Sequence, residues 1–398
     1  MARPKKILIA GGGIGGAAAA LALLRRDFEV EVYEQAPELG EVGAGVQISP
    51  NGSRALDELG VYQALKAASC APERKEFRLW STGKSWPMFD LGDVATEKYG
   101  YPYLTVYRPD LLDTLVNGVR EISPDAIHLG SAVTGVAQDG DQVSITLANG
   151  ETATGDVLIG ADGVKSTVRH CLWDDDEATF YGLVAWRSVI PMERLPDHMR
   201  HMVGSTWIGP GAHMVNYPLR GGKLMNMIGT IERNDWQVHS WHAEGSKEEC
   251  KRDFTEWHED VQTLIDCAPT LMKWAFMERP PRQTWSKGRI TLLGDAAHAT
   301  LPFLAQGAVM SIEDGVVLGR CLEKYDDPEI ALSKYELARV ERTSKMVRGA
   351  KDNTARFHDQ ALRTETDAIK FMENEWSRAP ITERYDWLYS YDVMTADI

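Results

Sequence analysis

The chain has 398 residues, 43% of them hydrophobic and 25% charged, with a formal net charge of -15. That length predicts two or three domains with ample core. The acidic balance disfavours nucleic acid and anionic membrane surfaces as partners, because a polyanion needs a basic footprint that occurs nowhere along the chain; an anionic small substrate would need a local positive site.

The opening stretch "KKILIAGGGIGGAAAALALLRRDFEVEVYEQ" reads as strand, tight turn, helix, strand. Ile7 to Ala10 form a short apolar run typical of a buried parallel strand. Gly11, Gly13 and Gly16 then fall on the G-x-G-x-x-G spacing, with Ile14 and Gly15 inside the loop, before an Ala/Leu-rich helix ending near Arg25 and Arg26. Val30 to Tyr33 supply a second strand, and Glu34 stands at its end, about 20 residues past the glycines, where a carboxylate can accept from a ribose diol. Gly11 allows the turn, Gly13 admits a pyrophosphate to the backbone, and Gly16 lets helix and strand pack closely. The helix N-terminus adds free N–H donors and a positive dipole end. Which dinucleotide binds stays open at this point.

Next come a Gly-rich loop, "GEVGAGVQ", and a helix from about Pro50 to Leu59 with Ser49 or Asn51 as its cap. "EFRLWSTGKSWPMFDLG" alternates around Thr82-Gly83 as a hairpin, and "YLTVYRPDLLDTLVNGV" reads as a strand entering an amphipathic helix. Asp139-Gly140 and Asn149-Gly150 mark two further hairpins, after which Asp156 to Ile159 return the chain to a parallel sheet at "GADG". From about Phe180 to Cys267 the character changes to strand-like segments carrying Trp186, Trp207, Trp236 and Trp241 with His201, His213, His239 and His242, which predicts a second domain. "GRITLLGDAAHATLPFLAQGAVMSIEDGVVLGRCLEKY" restores strand, turn and helix, with Gly307 opening a helix over about 308–322. The remainder is helical by pattern, and its aromatic end "ERYDWLYSYD" should pack against the rest. Five scattered cysteines, Cys70, Cys171, Cys250, Cys267 and Cys321, show no C-x-x-C and no neighbouring His at ligand spacing; they read as reduced thiols, and no metal is expected. No apolar run approaches about 18 residues, and the first strand starts within a few residues of Met1, so a cytoplasmic enzyme without membrane association is the simplest expectation.

The glycine fingerprint, "GADG" at 160–163 and "GDAAH" at 294–298 are individually short. In this order and at these separations they make the chain resemble, over nearly its whole length, the group A FAD-dependent aromatic hydroxylases, the para-hydroxybenzoate hydroxylase superfamily. It is most similar to the branch of 3-hydroxybenzoate 6-monooxygenase, salicylate 1-monooxygenase and 6-hydroxynicotinate 3-monooxygenase. The resemblance implies an α/β protein: a Rossmann-type FAD-binding domain of 1–72, 98–180 and 272–345, an inserted mainly β substrate domain of 73–97 and 181–271, and a C-terminal helical region of 346–398. It further implies bound FAD, NADH or NADPH as transient co-substrate, O2, a flavin C4a-hydroperoxide, a small aromatic acid as substrate, and a homodimer. Only one dinucleotide fingerprint occurs, so a second, permanent nicotinamide-binding unit is not expected.

Carried over residue by residue, Gly11, Gly13, Ile14, Gly15, Gly16 and Glu34 would hold the ADP half of FAD. Arg108, in "YRPDL", would reach the phosphates, a use that suits a planar guanidinium. Gln47 would lie near the flavin ring, and Asp162 would serve FAD and NAD(P)H. Asp295 would accept from the ribityl chain, and the helix opened by Gly307 would point its N-terminus at the flavin N1–C2=O region, favouring the anionic reduced ring. Local structure offers other uses: a helix cap for Arg108, a turn for Asp162-Gly163, an N-cap for Asp295 and a structural place for His298.

For the substrate, "HMVNYPLRGG" places His213 and Tyr217 four apart, hence on one face of a strand. A neutral His can take a phenolic proton, and Tyr can orient the oxygen. The same spacing is similar to that of the 3-hydroxybenzoate and 6-hydroxynicotinate enzymes; a buried His beside a core Tyr is the structural alternative. Tyr103 is a further candidate for substrate contact, Val184 and Trp186 are expected to wall the pocket, and Arg187 could pair a carboxylate or serve a structural ion pair. Pro302 resembles the salicylate and 6-hydroxynicotinate patterns, whereas "GEVGAGVQ", "YPLRGG" and the aromatic end resemble the 3-hydroxybenzoate enzyme. Hydroxylation of 3-hydroxybenzoate to gentisate therefore leads narrowly over decarboxylative hydroxylation of salicylate to catechol or of 6-hydroxynicotinate to 2,5-dihydroxypyridine. A flavin oxidoreductase without oxygen insertion and a nucleotide-sensing protein are the readings from other classes.

Overall fold

The computed structural model describes residues 5–40, 43–90, 93–173, 178–236, 242–376 and 381–398. Glu41 and Val42 of the Gly-rich loop, and His239 and Trp241 of the expected second domain, lie outside the described residues. Among the described residues, strands Val157–Gly160, Lys6–Ala10, Glu29–Tyr33 and Ile127–His128 run parallel in that order, with Ile290–Leu292 parallel on the other side of Val157–Gly160. Ser286–Lys287 folds back antiparallel at that edge. Helix Ile14–Leu24 is buried along nearly its whole length, because its alanines let the helix Gly307–Lys324 approach closely. At the crossing, a Cβ on Gly315 would come within 2.8 Å of the Ala19 backbone nitrogen.

A second, larger sheet carries strands His242–Gly245, Leu271–Glu278, Thr179–Pro191, Leu224–Glu232, Ala212–Leu219, Val203–Gly209, Arg74–Leu79 and Ser85–Asp90 in that order. The hairpin expected at Thr82-Gly83 forms its edge. Strand Leu271–Glu278 belongs to this sheet along its whole length, so a division of the chain at 272 cuts it. Alternation gives the sheet two faces. One packs Trp186, Met214, Met225 and Met227 against Cys250, Val261 and Leu264 of the helices Lys247–Asp253 and Glu259–Cys267. The other packs Phe77, Leu79, Leu183 and Ile208 against Phe303, Phe357 and the C-terminal tyrosines Tyr385 and Tyr389. The aromatic end of the chain therefore closes over the second sheet.

Two hairpins follow Asp139-Gly140 and Asn149-Gly150 as expected. Ser49 occupies the N-cap position of helix Pro50–Glu58, but its hydroxyl donates to Asn51 Oδ1 at 2.6 Å instead of accepting from the helix. Asn51 is itself drawn inward, donating to Glu313 Oε1 at 2.8 Å. Glu313 and Asp314 are fully buried on helix Gly307–Lys324 and are neutralised by Arg339, at 2.8 and 2.7 Å, from the long helix Pro328–Phe357; Arg342 adds a contact of 2.9 Å to Glu313. Charges this deep are tolerated because each finds a partner. Among the described residues, no helix is long and apolar enough to cross a membrane.

Candidate active site

Three loops converge at the carboxyl ends of the parallel strands, the position where open α/β sheets take ligands. Gly11 has φ of 103°, and a Cβ there would overlap the carbonyl of Ala161 in the "GADG" loop; a Cβ on Gly16 would overlap the carbonyl of Gly11. Gly15 is pressed against Leu293 and Ser311, which joins the fingerprint to the "GDAAH" strand and to helix Gly307–Lys324. Gly13 is the exception: a Cβ there would meet nothing within 4 Å, so the loop opens at the one glycine expected to admit a pyrophosphate. Glu34 accepts from Gly12 N–H at 2.6 Å and from Ala36 N–H at 2.9 Å, which holds its carboxylate beside the loop with lone pairs to spare.

Asp162 accepts from the Ser166 hydroxyl and, at 3.1 Å, from Val168 N–H, so it shapes the turn into helix Thr167–Trp173 as well as backing Gly11. Asp295 differs. Its side chain remains exposed although protein surrounds it, as at the base of a cleft. Desolvation raises its carboxyl, opposed by the charges of His298 and Arg108, so Arg108 from the start of helix Arg108–Ile122 reaches this cleft. His298 is buried and shares a 2.6 Å contact with Asp314, a structural place in the buried ionic network. An open backbone at Gly13, an acceptor at Glu34 and an exposed Asp295 near Arg108 fit the phosphate, adenosine and polyol parts of FAD.

The second site is a cavity between the inner face of the larger sheet and the C-terminal helices. Gln47, Lys75, Tyr103, Thr206 and His213 line it with Pro302 and its neighbours Phe303 to Ala305, and Asn353, Phe357, Tyr385 and Tyr389 close it. Tyr103 donates to Gln47 Oε1 at 2.9 Å and receives a hydrogen bond from Lys75 Nζ at 3.2 Å. His213 is buried, with its ring set edge-on to Phe303 and Phe357. Desolvation, with a contribution from His358, lowers its pKa well below 6.5 and keeps it neutral.

His213 Nδ1 lies 2.7 Å from His358 Nε2, and His358 Nδ1 lies 2.8 Å from Glu232 Oε1. The carboxylate at the end of this chain can only accept, which sets every tautomer before it. His358 carries its proton on Nδ1 and accepts at Nε2; His213 then carries its proton on Nδ1, leaving the Nε2 lone pair for the cavity. Glu232 has 57% of its side chain exposed, so the chain of bonds runs from the cavity to solvent.

A family model described as an FAD binding domain matches residues 5–350. The chain belongs to this FAD-binding family. It is 36% identical over 393 residues, 97% of this chain and 96% of the relative, to 3-hydroxybenzoate 6-hydroxylase of Polaromonas naphthalenivorans (strain CJ2). To 6-hydroxynicotinate 3-monooxygenase of Pseudomonas fluorescens it is 38% identical over 360 residues, 89% of this chain and 92% of the relative. The crystal structure of Klebsiella pneumoniae HpxO complexed with FAD and uric acid shares the fold, with a TM-score of 0.84 over 98% of this chain and 97% of that one at 24% identity. With these relatives the protein is an FAD-dependent aromatic monooxygenase.

In this monooxygenase the residues singled out from sequence divide by face and by element. His213, Tyr103, Gln47 and Pro302 meet at the cavity. Tyr217 shares the face of His213 but sits deeper, packed on Gly45 and Asn226 and bonded to Gln47, whose amide N–H donates to the phenol oxygen while its Oε1 accepts from Tyr103; burial pushes the Tyr217 phenol up, so it stays neutral. Val184 and Trp186 do not wall the cavity. Both occupy the opposite face, where Trp186 Nε1 donates to Asp253 at 2.8 Å and Ile231, the partner of Val184, packs with the same cluster. The one-residue offset from Arg187, the partner of the cavity-lining Ile228, turns them away. Lys75, His358, Glu232, Asn353, Tyr385 and Tyr389 escaped sequence reasoning. Alternation along "ERKEFRL" places Lys75 on the face of Phe77 and Leu79, and Tyr385 and Tyr389 lie in the aromatic end expected to pack, but neither signal points to this cavity.

Proposed function

We propose that this monooxygenase hydroxylates a small hydroxylated aromatic acid with NADH or NADPH and O2, 3-hydroxybenzoate to gentisate being the leading reading. When bound and reduced, FAD would supply the activated oxygen. The rest falls to the chain. His213 takes the phenolic proton at Nε2, which makes the ring the nucleophile that attacks oxygen, and its Nδ1 proton passes to His358 Nε2 while His358 passes its own to Glu232. The charge is thereby carried to Glu232 without water entering beside the ring; His213 is left neutral with its proton on Nε2, and the same relay run backwards, with Nε2 returning that proton to the product's phenolate oxygen, restores the base. Phe303, Phe357, Tyr385 and Tyr389 exclude solvent from the reacting face. Tyr103, Tyr217 and Gln47 orient the substrate through hydrogen bonds, Tyr217 acting by way of Gln47. The observation that carries this reading is the neutral, aromatic-clamped His213 at the head of a one-directional hydrogen-bond chain.

Gly11 to Gly16, Glu34, Arg108, Asp162, Asp295 and the helix opened by Gly307 hold the cofactor in this proposal, in a cytoplasmic homodimer. Pro302 in the cavity wall and the 6-hydroxynicotinate relative favour a second reading, decarboxylative hydroxylation to 2,5-dihydroxypyridine, or to catechol from salicylate. The deciding experiment follows NADH oxidation by the holoenzyme with each of the three acids under 18O2 and identifies products by chromatography and mass. Labelled gentisate supports the leading reading. Stimulated oxidation with no labelled product from any acid would instead indicate an oxidoreductase that does not insert oxygen.

A further inference from the structure

We propose that Lys75 anchors the substrate's carboxylate at the end of the cavity opposite His213; the inference rests on the aromatic-acid reading above. Along the sheet, Lys75 is level with Gly204 and, through it, Tyr217, whereas His213 is level with Ile208 and Leu79. Four residues of strand separate the two levels, roughly 13 Å along the backbone. Base and anchor can therefore act on opposite ends of one small ring. Among the described residues, Lys75 is the only cationic side chain lining the cavity, in a protein of net charge -15.

Its Nζ donates to the Tyr103 hydroxyl at 3.2 Å and sits 4.7 Å from the centre of that ring. An ammonium has three donors, so two remain. No carboxylate among the described residues faces it. Its neighbours on the strand, Arg74 and Glu76, point to the other side and pair with each other. The titratable groups on its own side are Tyr103, Tyr217, Tyr385 and Tyr389, all held neutral by burial, the neutral His213, and the cation Arg187, which acts on Tyr217 from strand Thr179–Pro191 without lining the cavity. Desolvation without a counter-ion lowers the Lys75 pKa to about 7. An ammonium in such a place is costly until an anion arrives, and a carboxylate supplies the missing charge.

The sign of the pH dependence follows. In the open cavity Lys75 loses its proton as pH rises through about 7, whereas the bound carboxylate holds the proton on. Affinity for the acid is full below that point and falls above it, by up to about tenfold per pH unit, with proton uptake on binding. A neutral analogue has no such dependence.

The test titrates the holoenzyme, followed by flavin absorbance, with 3-hydroxybenzoate and 3-hydroxybenzamide at pH 6.5 and 8.5, for the wild type, Lys75→Met and Lys75→Arg. Expected is a loss of about tenfold or more in wild-type affinity for the acid between the two pH values. Lys75→Met should bind the acid at least about tenfold more weakly at pH 6.5, without pH dependence, and Lys75→Arg should hold it at both. The amide and the FAD content should not distinguish the variants. Equal binding of the acid by Lys75→Met and wild type overturns the anchor alone. Failure of the wild type to bind 3-hydroxybenzoate, salicylate or 6-hydroxynicotinate overturns the aromatic-acid reading and the anchor with it.

Discussion

Gly11, Gly13 and Gly16 shape the nucleotide loop through their own backbones, within a single turn of chain, whereas the cavity draws Gln47, Lys75, Tyr103, His213, Pro302 and Tyr389 from one end of the sequence to the other. In the loop, function and local conformation are the same thing: a side chain at Gly16 removes the conformation. In the cavity they are separate, because the sheet holds its strands whatever single residue faces inward. Substitutions in the two regions should fail in different ways.

The largest effect is expected at Gly16→Ala, whose methyl would overlap the Gly11 carbonyl. The variant should lose FAD and much of its stability together, visible as colourless protein with an early thermal transition; a yellow, stable product would put the loop on the same footing as the cavity. His213→Ala should retain FAD yet form product about 10²- to 10⁴-fold more slowly, the usual weight of a positioned base. In the wild type, a base whose pKa is lowered well below 6.5 stays active as pH falls through that value, so the acid limb of kcat/KM should lie below it. A limb centred at or above 6.5 would take the role from His213.

A third variant probes what joins the regions. Arg339→Met removes the buried cation that Glu313 and Asp314 share, leaving Arg342 to the one and His298 to the other, and should cost about 3–5 kcal/mol in denaturant unfolding. Its products should not change, which separates framework from chemistry. The smallest functional effect is expected at Trp186→Phe. Losing the hydrogen bond to Asp253 should cost about 1–3 kcal/mol of stability and leave the product distribution among the three acids as it was. An altered product ratio would put Trp186 back into the pocket wall.

Much of the nucleotide half was legible because its signals are steric and short in range. A strand, three glycines at fixed spacing and a carboxylate about 20 residues on leave few folds that satisfy them. The hairpins at Asp139-Gly140 and Asn149-Gly150 and the helix opened by Gly307 belong to the same class. His213 and Tyr217 were also within reach, since strand alternation requires only that the strand be recognised. The choice of face was not. Trp186 and Arg187 differ by one residue, and nothing local says which of the two looks toward His213; that was settled by helices 247–253 and 259–267, which cover the Trp186 side. The partners of His213 likewise come from His358 and Glu232, 145 and 126 residues apart in their pairings, and Lys75 gains its low proton affinity only from what other segments bring around it. Sequence by itself determined where the backbone must bend and approach a phosphate, because that is the conformational freedom of single residues. Tertiary structure decided which side chains share a desolvated space, because burial and hydrogen-bond direction are properties of the packed chain.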